Sequence, residues 1–126
     1  MSIPQKSPVR ITIPAGKTAI VNFANNSSAK ESFRITDSNG KEVCSGAGTG
    51  TGPKVQPSQT FVAEAGGIYK VSIDSYDTPN MILDSNSSMV SNGIVYAQSY
   101  LFISEDASDN DYNDTFLNIS WFQNNG

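Results

Sequence analysis

The chain of 126 residues contains no histidine and one cysteine, Cys44. Without histidine there is no Ser-His-Asp relay, no Cys-His pair, no ordinary zinc site and no usual general base. A lone cysteine forbids an intrachain disulfide, so the core must hold without one, and Cys44 reads as a small core or strand residue. Basic residues are missing from the later part of the chain. All eight Lys and Arg lie at or before Lys70, and from Val71 onward there are eight acids and no base. The first part therefore carries a net charge of +4 and the remainder -8. No basic patch accompanies the aromatic residues, so no nucleic-acid partner is expected. No apolar run approaches the ~18 residues of a membrane span, which gives no reason to expect membrane insertion. The start, Met1-Ser2-Ile3-Pro4-Gln5-Lys6-Ser7-Pro8, lacks the basic opening and apolar centre of a signal peptide. A secreted or extracellular location would need another exit route. Helical periodicity is also absent, since no apolar pattern of that period persists for three turns.

What the chain does have is a concentration of acid. In Ser104-Glu105-Asp106-Ala107-Ser108-Asp109-Asn110-Asp111-Tyr112-Asn113-Asp114, five carboxylates share ten positions with no Lys or Arg among them. Their repulsion at neutral pH is costly unless a cation sits between them. Asp109, Asp111 and Asn113 alternate, aiming successive oxygens at one point, and Glu105 and Asp114 add more. Six to eight oxygens at roughly 2.3–2.6 Å is the coordination of calcium. An EF-hand is excluded: counted from Asp109, its required Gly and Glu positions hold Asp114 and Ser120. The chain leaves this stretch through Thr115-Phe116-Leu117-Asn118-Ile119-Ser120-Trp121-Phe122, a β-branched and aromatic strand pattern, not an exiting helix.

The rest of the chain reads as strands joined by turns, one domain over residues 1–126. Residues 1–7 form an extended arm. Val9–Ile13 alternates apolar and polar, and Thr18–Ala24 is a second strand that ends at an expected polar loop, Asn25-Asn26-Ser27-Ser28. Ser32–Thr36 and Lys41–Ser45 flank Asp37-Ser38-Asn39-Gly40, which predicts a hairpin because Asn-Gly tolerates positive φ. The Gly-rich tract Ser45–Pro53 reads as a flexible connection or a thin edge strand. Thr60–Glu64 and Ile68–Ile73 predict a second hairpin around Ala65-Gly66-Gly67. Residues 74–93 are polar around a short apolar Met81-Ile82-Leu83, and Ile94–Ile103 is a central strand delivering the acidic stretch. The expected fold is all-β, an antiparallel sandwich of about eight or nine strands, with Greek-key connections allowed. Trp121 and its aromatic neighbours sit inside these strands and read as core, not as a stacking platform.

Ser104-Glu105-Asp106 followed by Asp109-Asn110-Asp111-Tyr112-Asn113-Asp114, with Trp121 close to a Gly C-terminus, resembles the calcium-mediated bacterial lectins of the fucose-binding LecB type. Phe23-Ala24-Asn25 with Ser27-Ser28, after Thr12-Ile13-Pro14-Ala15, is similar to the N-terminal strands and sugar loop of that family. The resemblance implies a β-sandwich binding two adjacent Ca2+ ions, which ligate vicinal hydroxyls of fucose or mannose on free or cell-surface glycans. It implies Glu105, Asp109, Asp111, Asn113 and Asp114 as metal ligands, joined by Asn25, with Asn26 as the alternative because the doubled Asn shifts the register by one. It implies Asp106 as acceptor of a sugar hydroxyl and Asn26, Ser27 and Ser28 as tuning sugar preference. It also implies a homodimer or higher homo-oligomer, with the Gly126 carboxylate of a partner subunit completing the site. Here the chain departs from the pattern, since Gly126 lies five residues past Trp121 where the family has three.

Two other readings stand beside the lectin. Similar acidic strings occur in adhesive or toxin-associated β-modules in which calcium is structural and no sugar binds. An enzyme would need Glu105 and Asp109 or Asp111 as a glycosidase pair, but the acid of such a pair needs a raised pKa and an adjacent calcium pushes the other way. No enzyme is therefore expected.

Overall fold

The computed structural model describes residues 3–106 and 111–123. Among the described residues, ten antiparallel strands form one continuous sheet: β1 (Gln5–Lys6), β2 (Val9–Thr12), β3 (Thr18–Thr36), β4 (Glu42–Val55), β5 (Gln59–Val62), β6 (Ile68–Ser75), β7 (Thr78–Pro79), β8 (Met81–Ser91), β9 (Ile94–Glu105) and β10 (Thr115–Phe122). The strand order is β1-β8-β9-β10-β3-β6-β2, with β4 and β5 also on β3, and β7 on β6. The expected all-β antiparallel architecture is present. Two of the ten strands are two residues long, which leaves eight of substantial length.

The fold turns on β3. Its first part pairs with β5 and β10, and its last part, Glu31–Thr36, pairs with β6 and β4. Phe23 and Phe33 lie ten residues apart on it, which in a straight strand would be roughly 33 Å, yet their ring centroids are 4.8 Å apart. The strand therefore folds over, and the register shifts at Asn25/Ser27 and Ser27/Glu31 mark where. Side chains on the enclosed side form one core, with Val21 and Phe23 before the bend, Phe33 and Ile35 after it, and Val71, Ile73, Ile82, Phe102, Leu117 and Ile119 from other strands. Trp121 is buried in the same core.

Two expectations are corrected and two are made definite. Asn25-Asn26-Ser27-Ser28 is not a loop between two strands but the bend of one, because hydrogen bonding to β4 and β10 carries the backbone through it. Ala65-Gly66-Gly67 closes no hairpin: β5 pairs with the first part of β3, whereas β6 pairs with β2 and the last part of β3, so the chain crosses from one arm of β3 to the other. Of the two readings of the Gly-rich tract, the edge strand is the one that forms: the tract belongs to β4, which lies on β3 at the sheet's edge, and its missing side chains make room for β3. A Cβ at Gly46 would stand 2.8 Å from the Phe33 ring, and one at Gly48 would collide with the Asn25 side chain. Residues 81–105 are a long hairpin of β8 and β9 turning at Asn92-Gly93, both at positive φ (52° and 77°). The Asn39-Gly40 hairpin forms as expected, with Asp37 Oδ1 accepting from the Asn39 and Lys41 N–H groups, each at 2.9 Å.

Candidate metal centre

β9 ends on Glu105 and β10 begins at Thr115, which pairs with Ser104, so the acidic segment leaves and returns at one point of the sheet. The Asp114 N–H donates to the Ser104 carbonyl at 3.2 Å, closing its base. The alternation of β9 and β10 breaks here, since Glu105 is buried next to buried Ser104 and Asp114 next to buried Thr115: Glu105 is 3 % and Asp114 9 % exposed, while Asp106, Asp111 and Asn113 are exposed. Glu105 Oε2 accepts from the Asp111 and Tyr112 N–H groups at 3.1 and 3.2 Å. Asp114 Oδ2 accepts from the Asp106 N–H at 2.9 Å. These bonds wrap the returning segment around two buried carboxylates, and Tyr112 turns at a positive φ of 50° to allow it.

The oxygens converge. One ligand atom from each of Glu105, Asp111 and Asp114 lies within 4.8 Å of the others, and a second grouping, Glu31, Asp106 and Asp114, meets the same limit. Two oxygens held by one ion at about 2.4 Å cannot be more than about 4.8 Å apart, so each spacing fits a single cation of calcium's size. The donors are all hard carboxylate oxygens, the set that suits calcium and not zinc. Without an ion the acids must share protons. Burial, followed by the side chains of Asp106 and Glu105, pushes the Asp114 carboxyl up to about 8, and only the hydrogen bond from the Asp106 backbone opposes this. Burial also raises Glu31 from the usual range, with the charges of Asp106 and Glu105 adding to it, against hydrogen bonds from Ser75 and Asn80.

The bend of β3 meets this segment. The Asn26 N–H donates to the Asp114 carbonyl at 2.8 Å and Asn26 Nδ2 to the Asn113 carbonyl at 2.9 Å. Asn26 Oδ1 in turn accepts from the Gly52 N–H at 2.8 Å, fixing β4 to the same place. The Asn25 side chain points elsewhere. It is fully buried, accepting from Gln56 Nε2 at 2.8 Å and donating to the Gly50 carbonyl at 3.2 Å. Ser27 is buried with Oγ accepting from the Ala29 N–H at 3.1 Å, and Ser28 is exposed beside it. Asp109 and Gly126 lie outside the described residues. Gln123, bonded to Tyr96 and Val95, stands at the far end of β10 from Thr115.

Sequence reasoning missed Glu31, Ser75 and Asn80, a buried polar group beneath the acids. Glu31 was readable: it continues the inward alternation of Ile35 and Phe33 by one step, and an acid in that phase is a flag. Ser75 likewise extends the inward series Tyr69, Val71, Ile73. Asn80 carries no such signal.

The sequence matches the family fucose-binding lectin II (PA-IIL) over residues 11–123. Thrombocorticin of Corticium sp. is 36 % identical over 123 residues, covering 90 % of this chain and 92 % of thrombocorticin. Two solved structures share the fold. A high-affinity mannose-binding lectin of Ralstonia solanacearum superposes with a TM-score of 0.78 at 23 % identity, covering 90 % of this chain and 96 % of that one. A Chromobacterium violaceum lectin in complex with α-methyl-fucoside has the same TM-score, 0.78, at 24 % identity and the same coverage, 90 % and 96 %.

Proposed function

Since the chain belongs to the fucose-binding lectin II (PA-IIL) family, we propose that it is a lectin that binds fucose- or mannose-type sugars through calcium held by its acidic segment, without catalysis. The observation that carries this reading is the convergence of Glu105, Asp111 and Asp114 oxygens within 4.8 Å at the mouth of the β9–β10 pair. Bound calcium supplies Lewis-acidic coordination positions that vicinal hydroxyls fill better than water. The residues of the chain do the rest. Glu105 and Asp114, buried and hydrogen-bonded to the returning backbone, give fixed anionic ligands, and Asp111, Asn113 and Asp109 add oxygens from the same segment. Two ions, the number the resemblance implies, would share these ligands. Exposed Asp106 would accept a sugar hydroxyl, and the β3 bend, with half-buried Asn26 bonded to the Asn113 carbonyl, exposed Ser28 and buried Ser27, would tune which sugar is preferred.

A partner subunit, which the resemblance implies, would complete the site with its Gly126 carboxylate in a homo-oligomer. Calorimetric titration with methyl fucoside and methyl mannoside, in calcium and again in excess chelator, tests the function. Saturable binding in calcium that chelator abolishes is expected; a chain that takes up calcium yet binds neither sugar sinks the reading and favours a structural ion.

A further inference from the structure

Glu31 lies far from the acidic segment in sequence, on a different strand, yet its carboxylate stands beneath it. The side chain is fully buried, in phase with Phe33 and Ile35, and its oxygen lies within 4.8 Å of ligand atoms of both Asp106 and Asp114. It accepts from Ser75 Oγ at 2.5 Å and Asn80 Nδ2 at 3.0 Å. Asn80 Nδ2 also reaches Ser104 Oγ at 3.3 Å, and the Ser104 hydroxyl meets that of Thr115. One carboxylate thus ties the end of β6 and the residue before β8 to the two residues that flank the acidic segment. Glu31 accepts on both of its oxygens, and a neutral amide could keep one of these bonds without placing a third acid against two others, one of them the buried Asp114, where such repulsion is strong. The charge must therefore serve something that the cation-free fold does not need.

We propose that Glu31 is a positioning residue of the calcium site, whose fixed negative charge strengthens cation binding at Asp106 and Asp114 at the expense of the cation-free fold. It adds a residue to the site described above and is not a separate site. The inference rests on the calcium-lectin reading. Cation affinity in oxygen sites rises with the number of charges gathered around the ion, and a carboxylate held by Ser75 and Asn80 contributes that charge without having to be ordered on binding.

The test uses the full chain, wild type and Glu31→Gln, at one neutral pH, with Ser75→Ala as a control for a purely structural role. Calcium affinity is read by calorimetry and thermal unfolding in excess chelator. Glu31→Gln, which keeps the shape and an acceptor oxygen, is expected to weaken calcium binding by about tenfold while raising the unfolding temperature in chelator. Ser75→Ala is expected to lower that temperature and change calcium affinity less. Unchanged calcium affinity in Glu31→Gln overturns the proposal, as does a lower unfolding temperature in chelator or failure to fold, since the carboxylate is held to cost the cation-free fold. Sugar titration at saturating calcium separates the two readings. Wild type that binds calcium but no sugar removes the lectin reading and leaves the role of Glu31 standing; wild type that binds no calcium removes both.

Discussion

The inward-facing side of β3 changes chemistry twice along one strand. Ala19, Val21 and Phe23 are apolar, Asn25, Ser27 and Glu31 are polar, and Phe33 and Ile35 are apolar again, all buried to 9 % exposure or less. Both stretches are hidden from water, but they are held differently. The apolar ends are stabilised by burial, about 1.5–3 kcal/mol for each large side chain. The polar middle gains little from burial and is held by hydrogen bonds to Gln56, Gly50, Ser75 and Asn80, beside carboxylates that repel one another. One half of the comparison stabilises the fold; the other half is where the fold pays for a cation site.

Breaking each half should therefore have separate consequences. The largest effect on function is expected from Asp114→Ala, which removes the acid common to both carboxylate groupings. Calcium affinity should fall on the order of a hundredfold or more, with sugar binding lost alongside it, while circular dichroism still reports a folded β-protein. Phe102→Ala strikes the apolar half: Phe102 is fully buried, and the truncation should cost about 3–5 kcal/mol in denaturant unfolding. In that variant, sugar affinity at low temperature should hold wherever the chain is folded. Calcium removal is next in size. Ligand at a hundred times its dissociation constant stabilises by about 2.7 kcal/mol, so chelator should lower the unfolding temperature of wild type and leave that of Asp114→Ala unmoved.

The comparison also has a pH signature. The folded Asp114 carboxyl sits at about 8 against an ordinary value of 3.8, so the folded chain without cation binds a proton that the unfolded chain has released. That stabilisation is fully present below the ordinary value and lost as pH rises through about 8. Unfolding temperature in chelator should thus fall as pH rises through this interval, and the apparent calcium affinity should rise, because the ion displaces the proton. The smallest effect is expected from Gly48→Ala, where a methyl group meets the Asn25 side chain. It should destabilise by about 1–3 kcal/mol and weaken calcium binding only by as much as the β3 bend shifts.

The same division explains how much of the molecule is legible in its sequence. Alternation in Val9–Thr12, Ile68–Ile73 and Thr115–Phe122 declares strands because one face is buried and the other wet, and the density of acids at 105–114 declares a cation because repulsion needs no tertiary context. The bend of β3 could not be read that way. Asn, Ser and Gly have turn chemistry as isolated residues, and only the pairing of β3 with β4 and β10 makes Asn25–Ser28 and Gly46–Gly50 strand. Ala65-Gly66-Gly67 misled because a turn signal says where the chain reverses, not which strands then pair. Asn92-Gly93 was as plain a turn as Asn39-Gly40 and was hidden by the polar residues before it. Glu31 showed only through its phase.

The central claim is that calcium on the acidic segment is the bridge to sugar. Its most direct test is a crystal structure of the full chain grown with calcium and methyl fucoside. The account predicts ion density about 2.3–2.6 Å from oxygens of Glu105, Asp111 and Asp114, with two neighbouring sugar hydroxyls completing the coordination. Sugar bound away from the ion, or an ion coordinated only by protein and water in saturating sugar, would contradict it.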